Sequence, residues 1–452
     1  MATKGISEQL RADWTPARLI PTAGIRGQKE QEQRATAALL SVMGAVPSFC
    51  QAVLRDLRPP KGRIETFCEV RLKDDAKAVH IPDGAIIITR GKKTWSCLVE
   101  VKTGGTPIDE SQVDRYLSLA TANGFDAFLT VSTQLRPSDD SLPYKVDGRK
   151  LRAVPVDHVS WWRIMSRAVL EHRFQGVDDL EQSWLLEELI FFMDDDRSGA
   201  YGFDGMGPDW VAVREAARLG TVNARDPQTM AVAERWGQFT QYLSLDLSQR
   251  LGVEVKLKKR GRGPDAAKPM GIAKELAETG NLSTALSIPD AEGPIAVDAD
   301  LRSGLVTTRV SVSAPREGRP LTRVRWLLRQ LQNAAPNVRL TTSFANTSVT
   351  QTATLAEALE DPTLLLHPEE PKREPRSFDV SATAKMGRKN GRGPGTFIAE
   401  MRSQLSDFYE QVVQNLKAPQ PKPPKLTKPD PDLHPTPSDE LTKPELTSGG
   451  AK

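Results

Sequence analysis

Ile81 to Gly105 reads IPDGAIIITRGKKTWSCLVEVKTGG, and its pattern decides how the first half of the chain is built. Two runs rich in β-branched and apolar residues, Ala85 to Thr89 and Thr94 to Val101, flank the polar break Arg90-Gly91-Lys92-Lys93. Such a pair predicts a β-hairpin, and Gly91-Lys92 suits a two-residue turn with glycine at its first central position. Residues equidistant from that turn pair across the strands, which sets Asp83 opposite Glu100 with Cβ atoms about 5 Å apart. Side chains alternate along a strand, so Lys102 shares a face with Glu100, while Val99 and Val101 point to the other. Two adjacent carboxylates with a lysine beside them gain nothing for folding. They are what a hard divalent cation such as Mg²⁺ takes as oxygen ligands.

After Lys102 come Thr103-Gly104-Gly105 and a segment at helical spacing, ESQVDRYLSLATANG, in which Gln112 and Tyr116 lie four apart on one face. Pro82-Asp83, then Glu100-Val101-Lys102 one hairpin later, then this helix, resembles the PD-(D/E)xK nuclease superfamily over residues 27–160. The resemblance implies a restriction-endonuclease-like α/β fold, a mixed sheet flanked by helices. It also implies hydrolysis of phosphodiester bonds with Mg²⁺ (or Mn²⁺) as cofactor. Asp83 and Glu100 would hold the metal with the carbonyl of Val101. Lys102 would position or activate the attacking water and offset charge on the phosphate, and Gln112 would orient water or contact the substrate strand. Superfamily members often bring a glutamate from their first helix to this site. Glu32 is the candidate, set against an ordinary solvated glutamate in the charged segment QKEQEQR. Tyr116 stands evenly between a site residue and a half-buried core tyrosine. The nuclease resemblance implies nucleic acid, DNA before RNA, as partner; the chain is also similar to bacterial proteins in which such a segment leads a long C-terminal half, which implies a role in defence or stress response. Two other classes stay open: a catalytically inactive nucleic-acid-binding protein on the same fold, and an interaction scaffold.

The tripeptide alone is weak evidence, as the chain itself demonstrates. Glu254-Val255-Lys256 and Ile288-Pro289-Asp290 repeat both halves of the motif in reversed order with no joining hairpin, and are read as coincidence.

Composition sets the outer bounds. The 452 residues suffice for two or three domains. A net charge of +3 excludes a histone-like polycation, so any nucleic-acid surface must come from local clustering. Three cysteines (Cys50, Cys68, Cys97) without Cys-x-x-Cys spacing argue against a disulfide framework or zinc module. With no long apolar run and no hydrophobic signal core, a cytoplasmic location is expected.

In chain order, 1–26 reads as a flexible leader and 27–175 as the nuclease-like domain. Within the latter, a helix over Gln28 to Leu57 is interrupted at Pro47, with Ala35, Leu39, Val42, Met43 and Val46 on its inner stripe. Arg63 to Leu72 alternates as a first strand with Glu65 and Glu69 on one face, and further strands are expected at Phe125 to Ser132 and Arg152 to Val156. His158 to Met193 is helical and aromatic, read as packing surface. Residues 176–252 read as a helical connector and 253–418 as a second mixed α/β domain. The latter opens on the basic run Lys256, Lys258, Lys259 and Arg260, which has the right charge for a phosphate backbone but no interleaved aromatics. Residues 419–452 hold nine prolines and equal numbers of lysines and acids, and are expected to be disordered.

Overall fold

The computed structural model describes residues 19–136, 141–200, 203, 205–258, 269–391 and 393–417. The first half runs α1 Gly27–Ala45, α2 Pro47–Val53, β1 Arg63–Cys68, β2 Leu72–Lys73, β3 Val79–His80, β4 Gly84–Arg90, β5 Lys93–Val101, α3 Glu110–Ala122, β6 Ala127–Ser132, α4 Gly148–Ala153, β7 Val156–Ser160, α5 Trp161–Leu170 and α6 Leu180–Asp194. A five-stranded sheet has the order β1-β4-β5-β6-β7, antiparallel through β5 and parallel beyond it. α3 makes the crossover between β5 and β6, as a parallel pair requires.

The hairpin has the expected register: Arg90 pairs with Lys93 and Gly84 with Val99, across a turn in which Gly91 has φ +62°. Both faces of this sheet are covered, which is why its strands read as nearly continuous apolar runs. Ile86, Ile88, Cys97, Val99 and Val101 pack against α1, α2, α5 and α6. Leu98 and Phe128 pack against α3 on the opposite face. Gly84 is required by close approach: a Cβ there would stand 2.4 Å from Leu40 Cδ1 and 2.7 Å from the Phe67 carbonyl oxygen.

The second half runs α7 Trp210–Leu219, α8 Pro227–Leu251, β8 Lys256–Leu257, α9 Pro269–Thr279, β9 Asn281–Ser287, β10 Ile295–Asp300, β11 Leu305–Ser313, α10 Pro320–Gln330, β12 Arg339–Phe344, β13 Thr350–Thr354, α11 Leu355–Glu360, β14 Pro375–Lys385 and α12 Phe397–Gln411. Its sheet is antiparallel, in the order β13-β12-β14-β11-β10-β9-β8. The chain is thus mixed α/β in both halves.

Several boundaries differ from expectation for local reasons. β1 stops at Cys68 because Glu69 takes a left-handed backbone, φ +51°, so Glu65 and Glu69 do not share one strand face. Residues 148–153 form a helix, started by Asp147 accepting from Arg149 N, and the strand begins instead at Val156, after Pro155. His158 therefore lies in a strand rather than a helix. The segment 176–252 is not a connector: α6 joins the first core, whereas α7 and α8 join the second. Nor are residues 19–26 loose, since Leu19 N donates to Glu188 Oε2 and Thr22 Oγ1 to Asp195 Oδ2, both at 2.7 Å. The expected tail, and residues 1–18 of the leader, lie outside the described residues. Among the described residues no single helix is long and apolar enough to cross a membrane.

Candidate active site

Asp83 immediately precedes β4 and Glu100 lies in β5 one residue beyond the last ladder pair, so both stand at the open end of the hairpin. Burying Val99 and Val101 stabilises by about 1.5–3 kcal/mol each, whereas a facing like-charge pair costs at most about 1 kcal/mol. The apolar face therefore wins and holds the carboxylates together. Asp83 Oδ2 accepts from Val101 N at 2.7 Å. Glu100 is 2% exposed. Its Oε1 accepts from Lys102 Nζ at 2.7 Å and from Gln112 Nε2 at 2.6 Å, and its Oε2 is buried without a hydrogen-bond partner. Burial first, then the charge of Asp83, pushes the Glu100 pKa up to about 8, although Lys102 pulls the other way.

Lys102 Nζ also reaches Glu32 Oε2 at 3.2 Å. Burial alone would favour the neutral amine, but Glu100, Asp83 and Glu32 outweigh it and raise the Lys102 pKa, so the ammonium is retained. Glu32 arrives because Ala35, Leu39, Val42 and Met43 are all buried along α1, which aims its first turns at the loop after β5. There Gln28 Nε2 bonds Thr106 Oγ1, and Gln31 Nε2 donates to the Arg197 carbonyl at 2.8 Å.

α3 begins with Asp109 accepting from Ser111 N, which turns its first-turn Gln112 toward Glu100. Tyr116, one turn later, is 7% exposed; its ring meets Phe128 edge-on at 6.5 Å in the core, while its hydroxyl bonds Gln112 at the edge of the cluster. Trp161 carries a role that sequence did not reveal. Its buried ring packs in the first core while Nε1 donates to the Lys102 carbonyl at 2.9 Å, fixing the backbone from which the lysine projects. Behind Glu100, its β6 partner Thr130 bonds Tyr144 Oη at 2.6 Å and His158 Nδ1 at 2.9 Å. Burial pushes the His158 pKa down to about 3, so this imidazole is neutral and structural.

The donor set suits a hard divalent cation: two carboxylates, one with an unpartnered buried oxygen, and a nearby backbone carbonyl. Lys102 N donates to Val131 O in the neighbouring strand, so alternation turns the N–H and C=O of Val101 toward Asp83. Among the described residues no three His, Cys, Asp or Glu side chains already stand grouped as a metal cage. Water would fill the remaining positions, as is usual for Mg²⁺.

The basic run is not part of this cluster. Lys256 pairs with Glu254 at 3.6 Å, Lys258 is exposed, and Lys259 and Arg260 lie outside the described residues. Compared with protein-family models, curated proteins and solved structures, the chain gives no match.

Proposed function

We propose that this chain is a metal-dependent phosphodiesterase, a nuclease of the PD-(D/E)xK type acting on DNA. The observation that carries it is the convergence of Asp83, Glu100, Lys102, Glu32 and Gln112, from four separate segments, on one largely buried cluster. Burying that many charges has no folding benefit, because each must be desolvated and two repel. The antiparallel meander β1-β4-β5, followed by a crossover helix and parallel β6, supports a restriction-endonuclease-like core.

In this reading Asp83, Glu100 and the Val101 carbonyl hold Mg²⁺ or Mn²⁺. The bound ion supplies a Lewis acid for the phosphodiester oxygen and lowers the pKa of a coordinated water. Lys102 acts as a fixed positive charge rather than as a base, since its neighbours keep it protonated. It offsets the negative charge that builds on the phosphate in the transition state. Glu32 restrains the ammonium from the α1 side, and Gln112 locks the rotamer of Glu100. A cavity of about 580 Å³ lined by Ile25, Gly27, Gln28, Gln31, Gly104, Gly105, Thr106 and Arg197 adjoins the cluster through Gln28 and offers a path for the substrate strand.

The test is incubation with Mg²⁺ or Mn²⁺ against plasmid DNA, linear duplex, single strands and RNA, with Glu100→Gln as the control. Metal-dependent cleavage lost in the control supports the proposal. Retarded migration without cleavage would leave a binding protein on this fold, and no binding at all would sink both.

A further inference from the structure

A cavity of about 1610 Å³ lies away from the carboxylates, where α2 and α5 of the first half face α8 and β8 of the second. Its described lining holds seven basic side chains against three acidic ones, and none is aromatic. Arg136 is paired with Asp157 outside the lining, and the other charges are unevenly matched. Asp56 alone serves three guanidinium groups: Arg163 at 3.3 Å, Arg167 at 3.7 Å and Arg55 at 3.9 Å. Arg55 is also tied to Glu254 at 2.7 Å, and Lys256 meets that same carboxylate at 3.6 Å.

Arg167 is the most telling member. It is 8% exposed, its Nη1 donates to the Val53 carbonyl at 2.6 Å, and its Nη2 is buried without a hydrogen-bond partner. Burial, followed by the charge of Arg163, pushes its pKa down to about 9. A guanidinium keeps its proton at neutral pH regardless, so the shift marks a positive charge held largely out of water beside a second one. The Val53 bond accounts for one end of the Arg167 fork, but neither its Nη2 nor a second arginine, Arg163, is needed for that contact. Planar forks that converge on a wide cavity match phosphate oxygens, which accept two parallel N–H donors from each guanidinium.

We propose that this cleft binds a small ligand carrying two or more phosphate groups, with Arg163, Arg167 and Arg55 gathering phosphate oxygens and Lys256 at the rim. A small polyphosphate fits better than a nucleic-acid strand. The lining lacks the aromatic platforms on which successive bases stack. Because both halves of the chain supply walls, the occupant would hold them together. The proposal does not depend on the carboxylate cluster.

The experiment uses the full chain in EDTA, which silences any metal at the carboxylates. Binding is measured calorimetrically with inorganic pyrophosphate and with ATP, against sulfate at matched ionic strength and a single-stranded DNA 12-mer. Saturable binding of pyrophosphate or ATP is expected, with sulfate much weaker. Arg163→Gln should raise the Kd at least about tenfold, because it removes a charge-assisted hydrogen bond to the phosphate. Arg167→Met risks the fold through Val53, so Arg163→Gln and Lys256→Gln, both outside the core, carry the test. Absence of saturable binding by both phosphates overturns the proposal. So does binding that both variants leave unchanged, or binding confined to the 12-mer.

Discussion

Glu100 Oε1 lies 2.7 Å from Lys102 Nζ, while the other oxygen of the same carboxylate, in a residue 2% exposed, is buried without a hydrogen-bond partner. Glu100 thus resists ionisation in the metal-free protein. Its folded pKa is raised from 4.5 to about 8. Its contribution to stability is therefore fully present below the unfolded pKa and is lost as pH rises through the folded one. In EDTA, the wild type should lose melting temperature relative to Glu100→Gln between about pH 5 and pH 8. Parallel melting curves for the two proteins across that window would show that Glu100 does not hold the proton.

Lys102→Ala addresses the fixed charge. The ammonium is largely buried and held by Glu100 and Glu32, so its loss leaves two carboxylates without their cation. Glu100 can respond by keeping its proton, and the fold should survive. Cleavage should drop at least about a hundredfold, the scale of a positioned electrostatic group. Retention of activity within a few-fold of wild type would strip Lys102 of its role.

How much of this was legible follows from how far apart the determining residues lie in the chain. The hairpin register could be read because Gly91 marks the turn and both strands alternate around it. Gln112 was legible because one capped helix follows the motif directly, whereas Glu32 stayed open against a solvated glutamate because only its place three residues before Ala35, at the edge of the apolar stripe, argued for the inward side. Glu69 was misread because a left-handed residue leaves no mark in an alternating pattern. The strand after α4 was placed too early because Arg152 to Val156 carries β-branched residues, yet Asp147 caps a helix turn there first. Trp161 was taken as packing alone, since its partner is a backbone carbonyl and has no side-chain signature. The arginines around Asp56 come from α5 and the end of α2, more than a hundred residues apart, and no local pattern joins them.

Trp161→Phe separates packing from positioning. The phenyl ring fills most of the same space, and only the Nε1 bond to the Lys102 carbonyl is removed. Stability should fall by about 0.5–1.5 kcal/mol for the lost hydrogen bond, plus a modest cavity term. The rate of cleavage should fall several-fold, with KM nearly unchanged, because Lys102 is less well held. A variant that loses stability but keeps full kcat would restrict Trp161 to the core.

Asp83→Asn tests the geometry of the site most directly. The asparagine side-chain oxygen can still accept from Val101 N, so the backbone contact at 2.7 Å survives while the negative charge facing Glu100 disappears. Relief of that repulsion should stabilise the metal-free protein by a few tenths to about 1 kcal/mol. It should also lower the Glu100 pKa, because the Asp83 charge is the second cause of its elevation after burial. In the wild type, by contrast, a cation held by both carboxylates adds stability that grows with its free concentration above the dissociation constant. Wild type should therefore melt lower than Asp83→Asn in EDTA and gain more on adding Mg²⁺, and only wild type should cleave DNA. If Asp83→Asn instead melts below wild type in EDTA and responds fully to Mg²⁺, Asp83 is a structural anchor for Val101. Any metal is then bound elsewhere, and the proposed active site loses its first ligand.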